Sequence, residues 1–248
     1  MDRLHAATLN LRNLADRWEE RLPLLLADMA ALQPDVIGLQ EVVYPLQQDR
    51  LLGAASEARY EAFRGWAGRP EYGNSLLVRA GHTIGDLERV ELGRDRAAHR
   101  VRLGFVLGAS IVFAVTHLHH LVPDDAVRDE QTARLLDWLE TGPRADGLVV
   151  VGDFNADPAE PAYARMVRAG FRSAFAEANG HEPEVTWPSG LKGPAIDEDG
   201  EPGCLDYVWV RGDIRVASAR LVFDRPAVDD PTLFPSDHFG IAAQLEIG

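Results

Sequence analysis

Short apolar segments rich in β-branched residues recur along the whole of this 248-residue chain. Their lengths, and the turn-forming residues that flank them, predict β-strands. The predicted strands are Leu4–Leu9, Val36–Gln40, Asn74–Arg79, Val101–Leu107, Ser110–His117, Leu148–Gly152, Leu205–Arg211, Val216–Phe223 and Ile241–Glu246. Helical patterns are fewer, and they predict helices at Asp16–Leu32, Asp124–Glu140 and Pro161–Ala169.

The balance between strands and helices decides the fold class. A purely parallel, doubly wound sheet would need a crossover connection between every pair of strands. Here strands outnumber helices, and several neighbours are close enough for hairpins, as on either side of Gly108 and Ala109. The sequence therefore predicts a mixed α/β protein of the α+β type, with two packed sheets and helices outside them.

The first predicted helix carries two local signals that disagree. Asp16 followed by Glu19 is typical of a capping box at a helix start. Pro23, however, is poorly tolerated inside a helix because it lacks an N–H group. Either the main helix begins near Leu22, or its first turn is offset from the rest.

Composition restricts the classes of protein to consider. The hydrophobic fraction of 46% and the charged fraction of 26% are ordinary for a folded globular chain. A single cysteine, Cys204, excludes an internal disulfide and a multi-cysteine zinc site. The start of the chain lacks the pattern of a secretory signal, and no apolar run is long enough to span a bilayer. We therefore expect a cytoplasmic protein without stable membrane insertion.

The net charge of −14 has the wrong sign for a protein that grips a polyphosphate backbone through its overall field. It does not exclude a nuclease, because a bound divalent cation and a local basic rim can reverse the potential at one site. It does argue against tight, sequence-tolerant binding of nucleic acid.

Polar residues gather where predicted strands end. The strand at 148–152 is followed by Asp153 and Asn155, which point the same way if the extended backbone persists. A carboxylate so placed can take a proton from water while the amide holds a phosphate oxygen. The same two residues are also common in turns that cap backbone groups, and both interpretations stay open for this segment alone.

Four other segments repeat this arrangement. Strand ends or strand openings carry Gln40 with Glu41, the histidines His117, His119 and His120, Asp206, and Asp237 with His238. Each has an explanation as turn, capping or packing chemistry, but five coincidences in one chain are hard to dismiss. Together with Asn10 they supply mostly oxygen ligands, which suit Mg²⁺ or Mn²⁺ better than zinc. A hard cation, a general base and phosphate-holding donors are what in-line phosphoryl displacement requires.

In their order along the chain these motifs resemble those of the endonuclease/exonuclease/phosphatase superfamily. The matching motifs are Thr-Leu-Asn (8–10), Leu-Gln-Glu-Val (39–42), Gly-Asn-Ser-Leu-Leu (73–77), Thr-His-Leu (116–118), Gly-Asp-Phe-Asn (152–155), Leu-Asp-Tyr (205–207) and Ser-Asp-His-Phe (236–239). The resemblance implies one catalytic domain over residues 1–248, folded as a four-layered sandwich with the site at one end. It also implies a metal-dependent hydrolase of phosphate esters, the substrate being a nucleic acid, a lipid headgroup or a small molecule.

The resemblance also implies roles for individual residues at the metal and at the attacking water. Glu41 resembles the principal metal ligand, with Asn10 beside it, and Asp237 matches an acid that touches a metal or orients a histidine. Asp153 matches the residue that orients or deprotonates the attacking water, and Asn155 the residue that holds the phosphate.

Histidines and substrate-side residues complete the implied site. His238 matches the histidine that stabilises the phosphoryl oxygens, and Asp206 an acid that orients it. His117 resembles the other active-site histidine, which contacts the phosphate or protonates the leaving group. Three further candidates for substrate binding are Asn74, Arg100 and Trp187, of which Trp187 could instead anchor its loop.

Departures from the family pattern bear on the substrate. Asp157 follows the Asp-x-Asn motif where inositol phosphatases typically carry a basic contact, which argues against a polyphosphorylated inositol. The acidic balance favours a small or single-stranded substrate, and we expect a monomer. Two alternatives from other classes are a non-catalytic binding module and a zinc hydrolase using His117, His119 and His120. Adjacent His119 and His120 would point to opposite faces of a strand, which makes them poor partners on one metal.

Overall fold

The computed structural model of the protein describes residues 1–85, 87–142, 144–196 and 200–248. Its strands are β1 (Asp2–Asn10), β2 (Val36–Val43), β3 (Tyr60–Ala67), β4 (Arg69–Arg79), β5 (Thr83–Ile84), β6 (Glu88–Gly93), β7 (Arg96–Gly104), β8 (Ser110–His117), β9 (Gly147–Asp153), β10 (Arg172–Ser173), β11 (Asp206–Gly212), β12 (Ile214–Val222) and β13 (Gly240–Ile247). Its helices are α1 (Trp18–Leu32), α2 (Gln48–Ala54), α3 (Asp125–Glu140), α4 (Pro161–Arg168) and α5 (Ala174–Asn179).

The strands form two mixed sheets. The first has the order β12-β13-β1-β2-β4-β3, and the second has the order β10-β11-β9-β8-β7-β5, with β6 also paired to β7. Among the strands of the described residues, each sheet contains one parallel pair, β1 with β2 in the first and β8 with β9 in the second. In both sheets the other pairs are antiparallel, so the chain crosses over far less often than a doubly wound sheet would require.

Alternating side chains divide the apolar residues among three cores. Inward residues of both sheets, such as Val36 and Val151, meet in the central core. On the outer face of the first sheet, Ile37 lies in a second core with Leu25 of α1. On the outer face of the second sheet, Val150 shares a third core with residues of α3 and α4. This arrangement confirms the four-layered sandwich, because each sheet buries one face against the other sheet and one against helices.

The capping box expected at the first helix is wrong. Helix α1 begins at Trp18, and the residue before it has a left-handed backbone with no side-chain cap. The carboxylate of Asp16 instead accepts hydrogen bonds from the Arg12 guanidinium and from the backbone N–H of Ala195. A start near Leu22 is also wrong, since Pro23 lies inside one continuous helix.

The predicted hairpin around Gly108 is present, but its first strand is shorter than expected. Strand β7 ends at Gly104 and pairs antiparallel with β8. The five residues between them form a turn closed by a hydrogen bond from the N–H of Phe105 to the carbonyl of Ala109. Val106 and Leu107, whose apolar side chains extended the predicted strand, are 93% and 71% exposed at the tip.

No helix in the described residues is both long enough and apolar enough to cross a membrane.

Candidate active site

Strands from both sheets bring polar side chains to one end of the sandwich. In the second sheet Asp153 closes β9, level with His117 on the parallel strand β8 and with Asp206 on the antiparallel strand β11. In the first sheet Asn10 closes β1, and its Nδ2 donates to Oδ2 of Asp153 across 2.9 Å. Residues far apart in sequence therefore meet because their strands end at the same edge.

Asp153, Asp206 and His238 form a buried cluster at this edge. Their candidate ligand atoms all lie within 4.8 Å of one another. Nδ1 of His238 is 2.8 Å from Oδ2 of Asp206, and its Nε2 is 3.7 Å from Oδ2 of Asp153. The cluster is close enough to hold a metal ion, and equally suited to proton transfer.

The loop that carries His238 is fixed from two directions. The hydroxyl of Ser236 donates to the carbonyl oxygen of Asn10 at 2.6 Å, which attaches the loop to β1. The backbone N–H of Phe239 donates to the carbonyl of Thr186, while the Thr186 hydroxyl accepts from the N–H of Asp206. The imidazole of His238 is consequently held against Asp206 by contacts on both sides of the cluster.

Burial and neighbouring charges move the pKa values of His238 and Asp153 strongly. Burial would lower the pKa of His238, but the carboxylates of Asp206 and Asp153 outweigh it and raise that pKa to about 10. Burial raises the pKa of Asp153 to about 6, and the nearby charge of Asp206 adds to this while His238 opposes it. At neutral pH the cluster thus holds an imidazolium beside an ionised Asp153 that is poised to take up a proton.

His117 is neutral, whereas His238 is protonated. Its Nε2 is 3.4 Å from Oδ2 of Asp153. Burial, together with the positive charges of Arg96 and His238, holds its pKa well below the usual value for histidine. A neutral and a charged imidazole therefore flank one carboxylate, which is the separation of protonation states that acid–base chemistry uses.

A glycine allows the second sheet to present Asp153. Gly152 has φ +148°, and a Cβ at this position would lie 2.0 Å from the carbonyl oxygen of Thr116 on β8. Any other residue would push β8 and β9 apart at the point where His117 and Asp153 face each other.

The extended backbone expected to persist as far as Asn155 does not do so. Strand β9 ends at Asp153, and Asn155 has φ +48°. The backbone N–H of Asn155 donates to Oδ1 of Asp153 at 2.8 Å, and its side-chain amide donates to the carbonyl of Leu118 at 3.1 Å. The turn forms because the Asp153 carboxylate accepts this N–H two residues on, as aspartates in turns commonly do. Phosphate binding by Asn155 stays a prediction.

Glu41 lies at an irregularity in the first sheet. The pairing of β2 with β4 shifts between Leu39 and Val42, and Glu41 has φ +57° there. Its Oε2 accepts a hydrogen bond of 2.7 Å from the side-chain amide of Asn13. The bulge thus turns a partly exposed carboxylate out of the strand at the same end of the molecule as Asn10.

Asp237 lies beside His238 and is engaged by other side chains. Its Oδ2 is 3.5 Å from Nε of Arg12, and its Oδ1 lies 3.3 Å from the hydroxyl oxygen of Ser236. Arg12 also pairs with Asp16 at 3.0 Å. Asp237 therefore shares its basic neighbour, Arg12, with Asp16. Metal binding by Asp237 stays a prediction.

The side chains of His117, His119 and His120 have different partners and do not share one site. Strand β8 ends at His117, so His119 does not continue its face. Instead Nε2 of His119 lies 2.9 Å from the carboxylate of Asp124, and Nδ1 of His120 lies 2.9 Å from Nη2 of Arg96. Within the described chain these three rings do not form a common metal group.

The expected substrate-side residues have different positions. The side-chain amide of Asn74 is buried and donates to the carbonyl of Ala97 at 3.0 Å. Arg100 stacks on Trp138 of α3 at 4.0 Å and pairs with Glu88, which places it in the outer layer. The ring of Trp187 lies 6.5 Å from that of His238, so the structure brings only this one of the three candidates to the cluster.

Trp187 also anchors its loop, as its alternative interpretation required. Its backbone N–H and carbonyl both bond to Gly203, and a Cβ on Gly200 would meet its ring at 2.5 Å. Trp187 can therefore anchor its loop and lie beside His238 at the same time.

Sequence reasoning missed Arg21, which connects the two loops of the site. Its side chain is fully buried and donates to backbone carbonyls of the segment 11–16 and to that of Pro235. The sequence did contain a signal that Arg21 is buried. Its spacing places it on the same face of α1 as the buried residues Leu25 and Met29. A charged residue on such a stripe needs many partners.

Comparison with known proteins agrees with this architecture. Residues 7–238 match the model of the Endonuclease/Exonuclease/phosphatase family. Nocturnin from Xenopus laevis is 26% identical over 92% of this chain, which spans 65% of the length of that protein. Among solved structures, an endonuclease/exonuclease/phosphatase from Bacteroides vulgatus shares 21% identity and a TM-score of 0.80, with both chains fully covered. TDP2 from D. rerio, complexed with a single-strand DNA product, shares 17% identity and a TM-score of 0.81 over 99% of this chain and 100% of that one.

Proposed function

Because the chain belongs to the endonuclease/exonuclease/phosphatase family, we propose that it hydrolyses phosphate esters with the help of Mg²⁺ or Mn²⁺. Water activated at the buried cluster would attack the phosphorus in line with the departing oxygen. The observation that carries this proposal is the close, buried group of Asp153, Asp206 and His238, in which an imidazolium lies beside the ionised Asp153.

Asp153 is the proposed base. With a pKa of about 6 it is mostly ionised at neutral pH, yet basic enough to accept a proton from water. Hydrogen bonds from Asn10 and from the backbone of Asn155 fix both of its oxygens. This orientation leaves the carboxylate little freedom to rotate away from the attacking water.

His238 is the proposed stabiliser of charge on the phosphoryl oxygens. As an imidazolium it offers a positively charged N–H, and Asp206 holds the ring through Nδ1. Removing such a preorganised donor typically lowers the rate by about 10²–10³-fold. The neutral His117 beside Asp153 is the candidate for a contact with the phosphate or for transfer of a proton to the leaving group.

Glu41 and Asn10 are the proposed holders of the cation. Both offer oxygen atoms, the donor type that hard divalent cations prefer, at the end of the sandwich where Asp153 lies. When bound, the cation supplies positive charge that polarises the phosphate ester and offsets the carboxylates. His238 is not proposed as a ligand, because a protonated imidazole has no free lone pair.

The substrate is proposed to be a small-molecule ester or a single-stranded nucleic acid, with a lipid headgroup as the third candidate. The net charge of −14 supports the first two over a duplex. The D. rerio TDP2 structure with a single-strand DNA product shows that the same fold accommodates such a chain. A monomeric, cytoplasmic enzyme stays a prediction.

Two variants and a metal series test the reaction. Bis(p-nitrophenyl) phosphate and the p-nitrophenyl monoester are incubated with Mg²⁺, Mn²⁺, Zn²⁺ or EDTA. We expect Mg²⁺ or Mn²⁺ to support hydrolysis, EDTA to abolish it, and Asp153→Asn and His238→Ala to lose nearly all of it while folding normally by circular dichroism. Exposed Asp137→Asn and His181→Ala serve as matched controls that retain activity. Activity with zinc alone would contradict the proposed cation, and wild-type turnover in either site variant would remove that residue from the mechanism.

A further inference from the structure

Two residues with left-handed backbones meet at the edge of the candidate site. Asn13, in the loop after β1, has φ +36°, and Glu41, at the bulge in β2, has φ +57°. Residues other than glycine adopt this conformation at a cost of about 1–3 kcal/mol, and they cluster at functional sites. The two side chains are joined by a hydrogen bond of 2.7 Å from Nδ2 of Asn13 to Oε2 of Glu41. The fold therefore holds this carboxylate in a set position.

The orientation of the Asn13 side-chain amide is fixed by its own loop. Its Oδ1 accepts hydrogen bonds from the backbone N–H groups of Leu14 at 2.7 Å and of Ala15 at 2.9 Å. Because these N–H groups require an acceptor, the oxygen of the amide must face them and the nitrogen must face Glu41. The donor to Oε2 is therefore in place before any cation binds.

Gln48 attaches the loop of Asn13 to the strand of Glu41. Its side chain is fully buried at the start of α2. Its Nε2 donates to the carbonyl of Asn13 at 2.8 Å, and its Oε1 accepts from the N–H of Val43 at 2.7 Å, two residues after Glu41. The loop cannot move away from the carboxylate without breaking these bonds, and buried groups that lose their partners are costly.

The contact with Asn13 makes the two oxygens of Glu41 unequal. Oε2 accepts the hydrogen bond from Asn13, whereas Oε1 has no hydrogen-bond partner within the described part of the chain. The difference matters for cation binding, because Mg²⁺ requires nearly ideal octahedral geometry while Ca²⁺ takes more oxygen ligands and accepts both oxygens of one carboxylate. A glutamate with one oxygen already engaged therefore suits Mg²⁺ better than Ca²⁺.

We propose that Asn13 is a positioning residue that makes the site discriminate between divalent cations. By holding Oε2, it leaves Oε1 of Glu41 as the oxygen that binds the cation, and it prevents the carboxylate from binding Ca²⁺ through both oxygens. This inference rests on the proposed function, because it concerns the cation that Glu41 is proposed to hold. It assigns the choice of that cation to a residue that acts through Glu41.

Calorimetric titration of the metal-free full chain with magnesium chloride or calcium chloride tests the assignment without turnover. Asn13→Gly removes the amide and suits φ +36°. Asn13→Asp keeps an oxygen for the N–H groups of the loop and tolerates a left-handed backbone, but its carboxylate is an added cation ligand in place of the amide donor. Gln33→Gly is the matched control, since Gln33 also carries an amide, has φ +43° and lies at the opposite end of α1. Heat that remains in Glu41→Gln comes from other carboxylates and is subtracted.

The ratio of the two affinities separates discrimination from a merely structural role. Since residues that orient a metal ligand typically contribute 10–100-fold to affinity, we expect Asn13→Gly to weaken Mg²⁺ binding much more than Ca²⁺ binding and to shift the ratio towards Ca²⁺ by about tenfold or more. Asn13→Asp should shift the ratio in the same direction, and Gln33→Gly should leave it unchanged. An unchanged ratio in Asn13 variants that fold normally by circular dichroism would overturn the proposal while leaving metal-dependent hydrolysis intact. A wild-type chain that binds neither cation would overturn both.

Discussion

Replacing Arg21 by lysine should loosen the two loops that frame the candidate site. The guanidinium donates to the carbonyls of Ala15 at 2.7 Å, of Asp16 at 2.8 Å and of Leu11 and Pro235 at 2.9 Å. It donates to the carbonyl of Arg12 at 3.2 Å and, over a longer distance of 3.5 Å, to that of Asn13. Five well-formed hydrogen bonds thus converge on one fully buried side chain.

The number of donors sets the size of the effect. A lysine ammonium has only three N–H groups, so at least two of the five well-bonded carbonyls would lose their partner. Leaving a buried acceptor unsatisfied costs about 1–3 kcal/mol, which gives about 2–6 kcal/mol for the pair. For a protein of this size each kcal/mol lowers Tm by about 2–4 °C, so we expect Arg21→Lys to melt roughly 4–24 °C below wild type.

Thermal unfolding followed by circular dichroism at neutral pH measures this shift. Arg168→Lys, at an exposed position on α4, is the matched control and should melt with the wild-type protein. Turnover of bis(p-nitrophenyl) phosphate well below both melting temperatures gives a second readout, and kcat should fall because the loops carrying Arg12 and His238 are displaced. A variant that melts within about 2 °C of wild type and turns over normally would refute the reasoning.

Two further perturbations test the packing near the site. His99 is buried with both ring nitrogens unpartnered among the described residues, and burial with the nearby charge of Arg89 lowers its pKa to about 3. Because the unfolded chain binds this proton below pH 6.5 while the folded one does not, His99 should remove up to about 1.4 kcal/mol of stability per pH unit from pH 6.5 towards pH 3. Urea unfolding of wild type and His99→Gln at pH 7 and pH 5 should show a shallower loss in the variant, and parallel losses would contradict this. Gly152→Ala should destabilise the fold by about 3 kcal/mol or more, since its Cβ would lie 2.0 Å from the Thr116 oxygen. Gly180→Ala, at φ +83° with no atom within 4 Å of the added Cβ, should lose only about 1 kcal/mol, and equal losses in the two variants would show that the close approach is unimportant.

The buried strands could be predicted from sequence because their signal is local. Apolar runs such as those of β8 and β9 are buried on both faces, so almost every residue in them is apolar. Strands β3 and β6 were missed because their patterns, Tyr-Glu-Ala-Phe-Arg-Gly-Trp-Ala and Glu-Arg-Val-Glu-Leu-Gly, mix charged and apolar residues. Their stability comes from pairing with β4 and β7, which no single segment reveals.

Candidate residues of the site could be named from the sequence, but their geometry could not. The placement of Asp153 at a strand end was visible in the apolar run before it. The sharp turn after Asp153, by contrast, depends on the hydrogen bond from the N–H of Asn155, and the contact between Asp206 and His238 depends on a loop that folds back across β11 and β1. Arg100 shows the opposite case. It lies on a strand that leads towards the site, but its side chain is on the outer face of the second sheet, where it stacks on Trp138.

Charge balance connects the fold to the proposed cation requirement. Strand ends place the carboxylates of Asp153 and Asp206 side by side at the buried edge, and one oxygen of Asp206 has no hydrogen-bond partner among the described residues. The imidazolium of His238 offsets only one of these two negative charges, and Glu41 adds another at the same end. An anionic phosphate ester approaching this group would be repelled by more charge than His238 can neutralise. A divalent cation held by Glu41 and Asn10 would reverse that balance, and this charge distribution at the strand ends supports the proposed use of a metal.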